Sequence, residues 1–209
     1  VNDRTWLEAL ESQMAETGIA IAAARLEFVS RLQSASAESK DELFPAARLT
    51  SSGTLETLLA RGPALEAEEL FKYQLVESRN RDAVTGGAAT GPHKSDLQVV
   101  YAAKDMSADQ CSTGEQKALL IGIVLAHARL IAAERGAPPI LLLDEVAAHL
   151  DPERRAALYD ILGNLKGQVW LTGTEEKLFE SSPDSGQFFH VERAQISKTV
   201  IPAATRSVA

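Results

Sequence analysis

The sequence predicts an α/β chain: a parallel sheet flanked by helices in its second half, preceded by a helical lobe. Three observations predict it. Pro139-Ile140-Leu141-Leu142-Leu143 is a short aliphatic run introduced by proline and closed by Asp144-Glu145. Such a run reads as a strand buried on both faces, as in a parallel sheet. Helical segments flank it, one running from Ser112 to about Arg135 and one starting at Asp151-Pro152, and Gln168 to Thr172 reads as a second buried strand. The first thirty-odd residues, by contrast, carry an apolar stripe at alternating three- and four-residue steps with charges opposite.

That stripe is Leu7, Leu10, Met14, Ile21, Ala24 and Phe28, with Thr17 in the remaining seam position and Gly18 beside it as a weak point. It predicts a helix from Asp3 to about Ser34, either an amphipathic helix packed on a domain or a coiled-coil arm. A polar turn follows from Ser34 to Glu42, then a short strand within Phe44 to Ser52. Leu55 to Arg61 and Leu65 to Arg81 read as helices broken by Gly62-Pro63. The second presents Leu65, Phe71, Leu75 and Val76 on its apolar side and Lys72, Arg79 and Arg81 on a polar side, read as a solvated face in preference to a DNA contact. Thr85 to Gly91 is a glycine-rich loop. Its Gly86-x-x-x-x-Gly91 spacing invites a phosphate-loop reading, which fails because Pro92 stands where the lysine belongs. No other stretch fits, so a Walker A lysine is expected upstream, outside this chain.

Leu97 to Tyr101 alternates as a strand, and Met106 to Cys111 reads as a loop. Ser112 is an N-cap, with Glu115 three residues on completing a capping box, and Gly136 stops the helix. After the aliphatic strand, Asp151-Pro152 opens a helix to about Leu165, proline being favoured at the first helical position. Thr174 to Phe179 is a short helix and Phe188 to Glu192 a last strand. The tail from Pro202 is expected to fray.

Acids at the carboxyl end of a parallel strand sit where open α/β sheets bind ligands. Asp144-Glu145 has the form of a Walker B pair: Asp144 as the Mg²⁺-facing acid, Glu145 as the base that polarises the attacking water. Taken alone, a buried strand ending in two solvated acids fits equally. Ser112 and Gly114 mark a helix N-terminus with open N–H groups, a site for anionic phosphate; an ordinary capped helix is the alternative. Composition bounds the rest. The chain has 209 residues, 45% hydrophobic, with net charge −8, so bulk charge does not predict DNA binding. One cysteine excludes an internal disulfide and fits a reducing compartment, and four scattered histidines give no metal-ligand spacing. The charged start lacks the apolar segment of a signal peptide, and the longest apolar run, Ala118 to Ala126, is short of the ~20 residues that cross a bilayer. The expectation is a cytoplasmic protein with no membrane partner. The start at Val1, without methionine, reads as a fragment or the C-terminal part of a longer protein.

The order of motifs carries a resemblance. Ala148-His149-Leu150-Asp151 is similar to the D-loop that follows Walker B in ABC-type ATPases. Cys111-Ser112-Thr113-Gly114-Glu115-Gln116-Lys117 resembles their signature motif in variant form. With Gly91-Pro92-His93-Lys94-Ser95-Asp96-Leu97 upstream, nearly the whole chain resembles the RecF family of bacterial recombination and repair ATPases. The resemblance implies the C-terminal part of an ABC-type head, with a partial helical arm over 1–84, the head over 85–201 and a tail over 202–209. It implies ATP and Mg²⁺, an ATP-sandwiched homodimer, and DNA at single-strand–double-strand junctions. RecR and RecO come with it as partners in loading RecA at gaps. Ser112, Gly114, Glu115, Gln116, Lys117 and Asp151 would then border nucleotide. Asp144 would hold metal and Glu145 would be catalytic. Thr172 or Thr174 would face phosphate where transporter ATPases carry a switch histidine. Departures from the transporter signature (Cys111, Glu115) point away from transporters and towards DNA-repair relatives, and the missing histidine implies slow, switch-like hydrolysis. Two rivals remain: another ABC-type head, such as a chromosome-maintenance protein, or an inactive half-domain serving as a binding module.

Overall fold

The computed structural model describes residues 4–38, 43–183 and 185–200. The expected tail over 202–209, and residues 39–42 of the expected polar turn, lie outside them. The described residues form two compact units, each with its own core.

The first unit joins the described residues up to Ala37 to Ala47–Ser107. Helix α1 (Arg4–Ala37) runs slightly past its expected end. Its buried stripe is not the one drawn by the large apolar side chains. Ala15, Gly18, Ile19 and Ala22 are buried, whereas Leu10, Met14, Ile21 and Phe28 are exposed. The reason is close approach. Helices α2 (Thr54–Arg61) and α3 (Ala64–Thr85) pack on the small-residue side of α1, and a Cβ at Gly18 would lie 2.7 Å from the Phe71 ring. Gly18 is thus a contact rather than a weak point: the ring fills the space that glycine leaves, as dense interiors require. Leu55, Leu58, Ala67 and Leu75 complete this core. On α3, Phe71 and Leu75 are buried as expected, but Leu65 and Val76 are exposed.

Arg79, expected on the solvated side of α3, instead donates to both Glu11 carboxylate oxygens at 2.5 and 2.6 Å. Glu11 is buried in α1, and a paired charge is the form in which a carboxylate tolerates burial. The hydrogen bond to Glu11 raises the Arg79 pKa above its ordinary value, so the guanidinium stays charged. Strand β1 (Ala47–Ser52) pairs antiparallel with β2 (Asp96–Tyr101), from Ala47 opposite Tyr101 to Ser52 opposite Asp96. A two-residue strand β3 (Met106–Ser107), within the segment expected as loop, adds to β2. This pairing keeps residues 85–107 with the helical lobe, so the compact units part after Ser107, where the sequence suggested 84/85.

The second unit holds residues 43–46 and the described residues from Ala108 onward. Helix α4 (Thr113–Arg135) ends at Gly136, whose φ of 70° is the left-handed stop that glycine adopts without strain. By length and composition α4 could cross a membrane. Ala118, Leu125 and Ala128 pack into the second core with Phe44. Strand β4 (Leu141–Leu143), helix α5 (Pro152–Leu165) and strand β5 (Val169–Leu171) follow. β4 and β5 are parallel, with Leu141 opposite Val169 and Leu143 opposite Leu171. The strand expected to be buried on both faces is covered on one. Leu141 is buried against Leu158 and Leu162 of α5, while Ile140, Leu142 and Trp170 are 63%, 75% and 51% exposed. Among the described residues this sheet has two strands, with core packing on a single face. A 3-10 turn (Glu176–Phe179) stands where a short helix was expected.

Strand β6 (Phe188–Glu192) is not the last. It forms a hairpin with β7 (Gln195–Thr199) across Arg193 and Ala194, at φ 48° and 61°. Two left-handed residues in a two-residue loop match the twist of the flanking strands. The usual Asn-Gly or Asp-Gly signal is absent, which hid the turn.

Two outcomes are expected. Gly18→Ala gains helix propensity worth roughly 0.5–1 kcal/mol but drives a methyl into a fully buried ring. Overpacking costs about 1–3 kcal/mol, so denaturant unfolding should show net destabilisation; a stabilised variant would refute the contact. Tyr159 is buried and donates its hydroxyl to the Leu178 carbonyl at 2.7 Å, and burial pushes its pKa from 10.0 up to about 12. Absorbance titration should therefore find one of the three tyrosines ionising late. The fold holds the neutral phenol, so this contribution to stability is intact below pH 10 and lost as pH rises through about 12. Tyr159→Phe should lose about 1 kcal/mol at neutral pH and show a flatter decline across that window.

Candidate functional site

The site is built at the carboxyl end of β4. The strand pairing runs one step beyond the ladder: the Thr172 N–H donates to the Leu143 carbonyl at 3.1 Å. This places the Thr172 side chain beside the two acids that follow Leu143. Its hydroxyl donates to Asp144 Oδ1 and accepts the Glu145 N–H at 3.0 Å. Glu145 has φ 54° and ψ 14°, a left-handed conformation uncommon for a residue with a side chain. The bond to Thr172 helps hold it there. Asp144, Glu145 and Thr172, each singled out from sequence, thus come together. The geometry adds that the Thr172 hydroxyl proton is spent on Asp144, not held open for an external group.

A 3-10 turn (Val146–His149) carries the chain away, anchored by buried Ala147 and Leu150. Asp151 then caps α5, accepting the Arg154 N–H at 2.9 Å, with Pro152 in the first turn. Asp151 therefore holds its own helix. Arg154, in the first turn of α5, lies 3.8 Å from the Asp151 carboxylate through Nε. Its Nη1 is 3.9 Å from where a Cβ on Gly114 would stand. The Arg154 side chain of α5 thereby reaches the first turn of α4.

The start of α4 has the expected capping box in full. Glu115 N–H donates to Ser112 Oγ at 3.4 Å, and Glu115 Oε2 accepts the Ser112 N–H at 2.9 Å and its hydroxyl at 2.7 Å. Gln116 turns back to donate to the Ala108 and Cys111 carbonyls at 2.8 and 3.2 Å, tying down the loop before the helix. Lys117 lies on the same turn, half-buried. Glu115 and Gln116, grouped by sequence with the nucleotide contacts, here bond the loop and the cap.

In the first unit, Pro92–Lys94 form a 3-10 turn leading into β2, so the glycine-rich loop before it does not open a helix. Gly91 sits at φ 150°, and a Cβ there would meet the His93 ring at 2.9 Å. His93 Nε2 is paired with the Ala88 carbonyl at 3.0 Å, and the Arg25 guanidinium donates to the Pro92 carbonyl. Ser95 donates to buried Glu56 at 2.8 Å. These bonds make the motif a turn fastened to α1 and α2.

As a metal site, the acid pair fits one mode. No group of three or more His, Cys, Asp or Glu able to hold a metal occurs among the described residues. A single hard carboxylate such as Asp144 suits Mg²⁺, which keeps waters and phosphate oxygens rather than an all-protein cage.

No family model matches the sequence. Curated relatives do. The DNA replication and repair protein RecF of Mesorhizobium japonicum is 50% identical over 199 residues, covering 94% of this chain and 52% of the relative. RecF of Rhizobium rhizogenes is 48% identical over 198 residues, covering 94% and 52%. RecF of Brucella abortus is 50% identical over 198 residues, covering 94% and 51%. The chain is similar to RecF along nearly all its length. It spans about half the length of the curated relatives it matches. Solved structures agree on the fold. The recombination mediator protein RecF-ATPrS in the RecFOR pathway superposes with a TM-score of 0.73 at 19% identity, covering 95% of this chain and 52% of that one. Its RecF-ATP counterpart gives 0.71 at 21%, covering 92% and 51%. The α/β fold expected from sequence is therefore a RecF fold over the part that this chain covers.

One stability consequence follows from the cap. Ser112→Ala removes the capping oxygen of a 23-residue helix, a loss of about 1 kcal/mol. Thermal unfolding should fall by roughly 2–4 °C for a chain of this size, and an unchanged midpoint would deny the cap its role.

Proposed function

We propose that this chain forms the C-terminal part of a RecF-type DNA repair and replication ATPase. The observation that carries the reading is the Asp144-Glu145 pair, held by Thr172 at the end of a parallel strand, in a sequence half identical to RecF. Glu145 acts as general base on the water that attacks the γ-phosphate, a contribution of about 10²–10⁴-fold. Asp144 would hold Mg²⁺, which supplies charge neutralisation on the phosphates. The N-terminus of α4, at Ser112 and Gly114, faces the γ-phosphate bound by a second copy, so ATP lies between two heads. Gln116 and Glu115 shape that loop, Lys117 adds positive charge to its first turn, and Asp151 meets the partner head.

On this reading the unit from Ala108 onward is the part of the head that carries the acid pair, and the unit in which residues 85–107 stay with the helical lobe carries the arm. ATP closes a homodimer on single-strand–double-strand DNA junctions and hydrolysis releases it. RecR and RecO act with it to load RecA at gaps, in the cytoplasm. The family likeness supports these partners; the net charge of −8 does not by itself favour DNA. The 209 residues contain no Gly-x-x-x-x-Gly-Lys-Ser/Thr loop, so this chain alone is proposed not to turn ATP over.

The test uses the complete protein and Glu145→Gln. Turnover should fall by about 10²–10⁴-fold, with ATP affinity kept and the ATP-bound dimer persisting longer on junction DNA. Wild-type turnover in the variant, or no ATP-dependent change in mass or DNA affinity, would end this reading.

A further inference from the structure

We infer that Thr172 is the positioning residue of the hydrolytic site: one hydroxyl sets the register of both acids and fixes the backbone of Glu145. The inference rests on the reading of Asp144 and Glu145 as the ATPase acids, and concerns what holds them.

A hydroxyl has one proton to give and lone pairs to accept with. In Thr172 the proton goes to Asp144 Oδ1, and a lone pair takes the Glu145 N–H at 3.0 Å. The two partners are consecutive residues, so the bonds tie the side chain of one acid to the main chain of the next. The clamp is itself held. The Thr172 N–H is fixed to the Leu143 carbonyl at 3.1 Å, continuing the β4–β5 pairing. A β-branched side chain is stiff at χ1, so a fixed backbone gives a fixed hydroxyl. Glu145 needs such a partner because its left-handed φ of 54° is a conformation that a side-chain-bearing residue keeps only when its surroundings impose it. The Asp144 side chain, exposed at a strand end, is likewise held through one oxygen. Thr172 thus acts through the acids and does not itself reach for phosphate.

Valine matches threonine in shape but has no hydroxyl; serine keeps the hydroxyl and loses the stiffening methyl. In the complete protein, Thr172→Val should lower kcat by roughly 10–100-fold, the scale for groups that orient a metal-binding carboxylate, with KM for ATP unchanged. Thr172→Ser should restore most of it. A second readout needs no turnover. Amide hydrogen exchange at residue 145 should be faster in Thr172→Val and recover in Thr172→Ser, with exchange in the first unit unaltered. Wild-type kcat in Thr172→Val, equal losses in both variants, or equal exchange at residue 145 in all three proteins would overturn the inference. Glu145→Gln, run alongside, separates the two ideas. If that variant keeps full turnover, the ATPase reading falls, while the exchange data still judge the clamp.

Discussion

The parallel pairing of β4 with β5 is the constraint on which the site depends. It involves few residues, Leu141 to Leu143 against Val169 to Leu171, yet it decides what stands opposite the acids. Side chains alternate along a strand, so a slip of one residue would turn Thr172 to the other face and leave Asp144 and Glu145 without their common partner. Packing beneath the pair guards against that slip. Leu141 is buried against Leu158 and Leu162, and the Tyr159 hydroxyl reaches the Leu178 carbonyl in the turn beyond β5. The crossover helix is therefore bonded to the chain that leaves the second strand. Hydrophobic burial supplies most of the drive, and one buried polar bond adds direction to it.

Much of this was legible in the residues. The acid pair, the capping box and the proline-led start of α5 each rest on local chemistry: a side chain finds its partner within a few positions, so spacing alone reveals it. What stayed hidden depended on a distant element. The buried face of α1 follows from where Phe71 arrives, 53 positions after Gly18. A rule that ranks side chains by hydrophobicity picks Leu10, Met14 and Phe28 instead. Arg79 read as solvated because its partner, Glu11, lies on another helix. The resemblance offered Thr172 or Thr174 to phosphate; that Thr172 bonds Asp144 and Glu145 shows only once β4 and β5 pair.

The aliphatic strand is an instructive middle case. Its composition is that of a strand covered on both faces, and the reading of a parallel sheet from it was right. Within the described residues one face carries the core, and Leu142 and Trp170, cross-strand neighbours, are exposed together on the other. Composition records the environment in which a strand's side chains are favourable. The structure shows the cover that the described residues supply.

The start of α4 raises a question of competing anions that the geometry resolves in part. On the proposed reading this helix end meets phosphate, yet the Glu115 carboxylate already occupies the Ser112 N–H and hydroxyl. One helix terminus has several unpaired N–H groups, and the cap satisfies only some of them. The box uses those of Ser112 and Glu115, leaving Thr113 and Gly114 between them outside it. At Gly114 no side chain shields the backbone, and the Arg154 guanidinium stands nearby. A cation at a helix N-terminus opposes the helix dipole, so its placement there is unfavourable unless negative charge offsets it. Asp151 supplies some, at 3.8 Å and in a partly exposed pair, where such attraction is weak. Glu115 keeps the loop folded, and on the proposed reading it is the N–H groups of Thr113 and Gly114, outside the box, that meet phosphate.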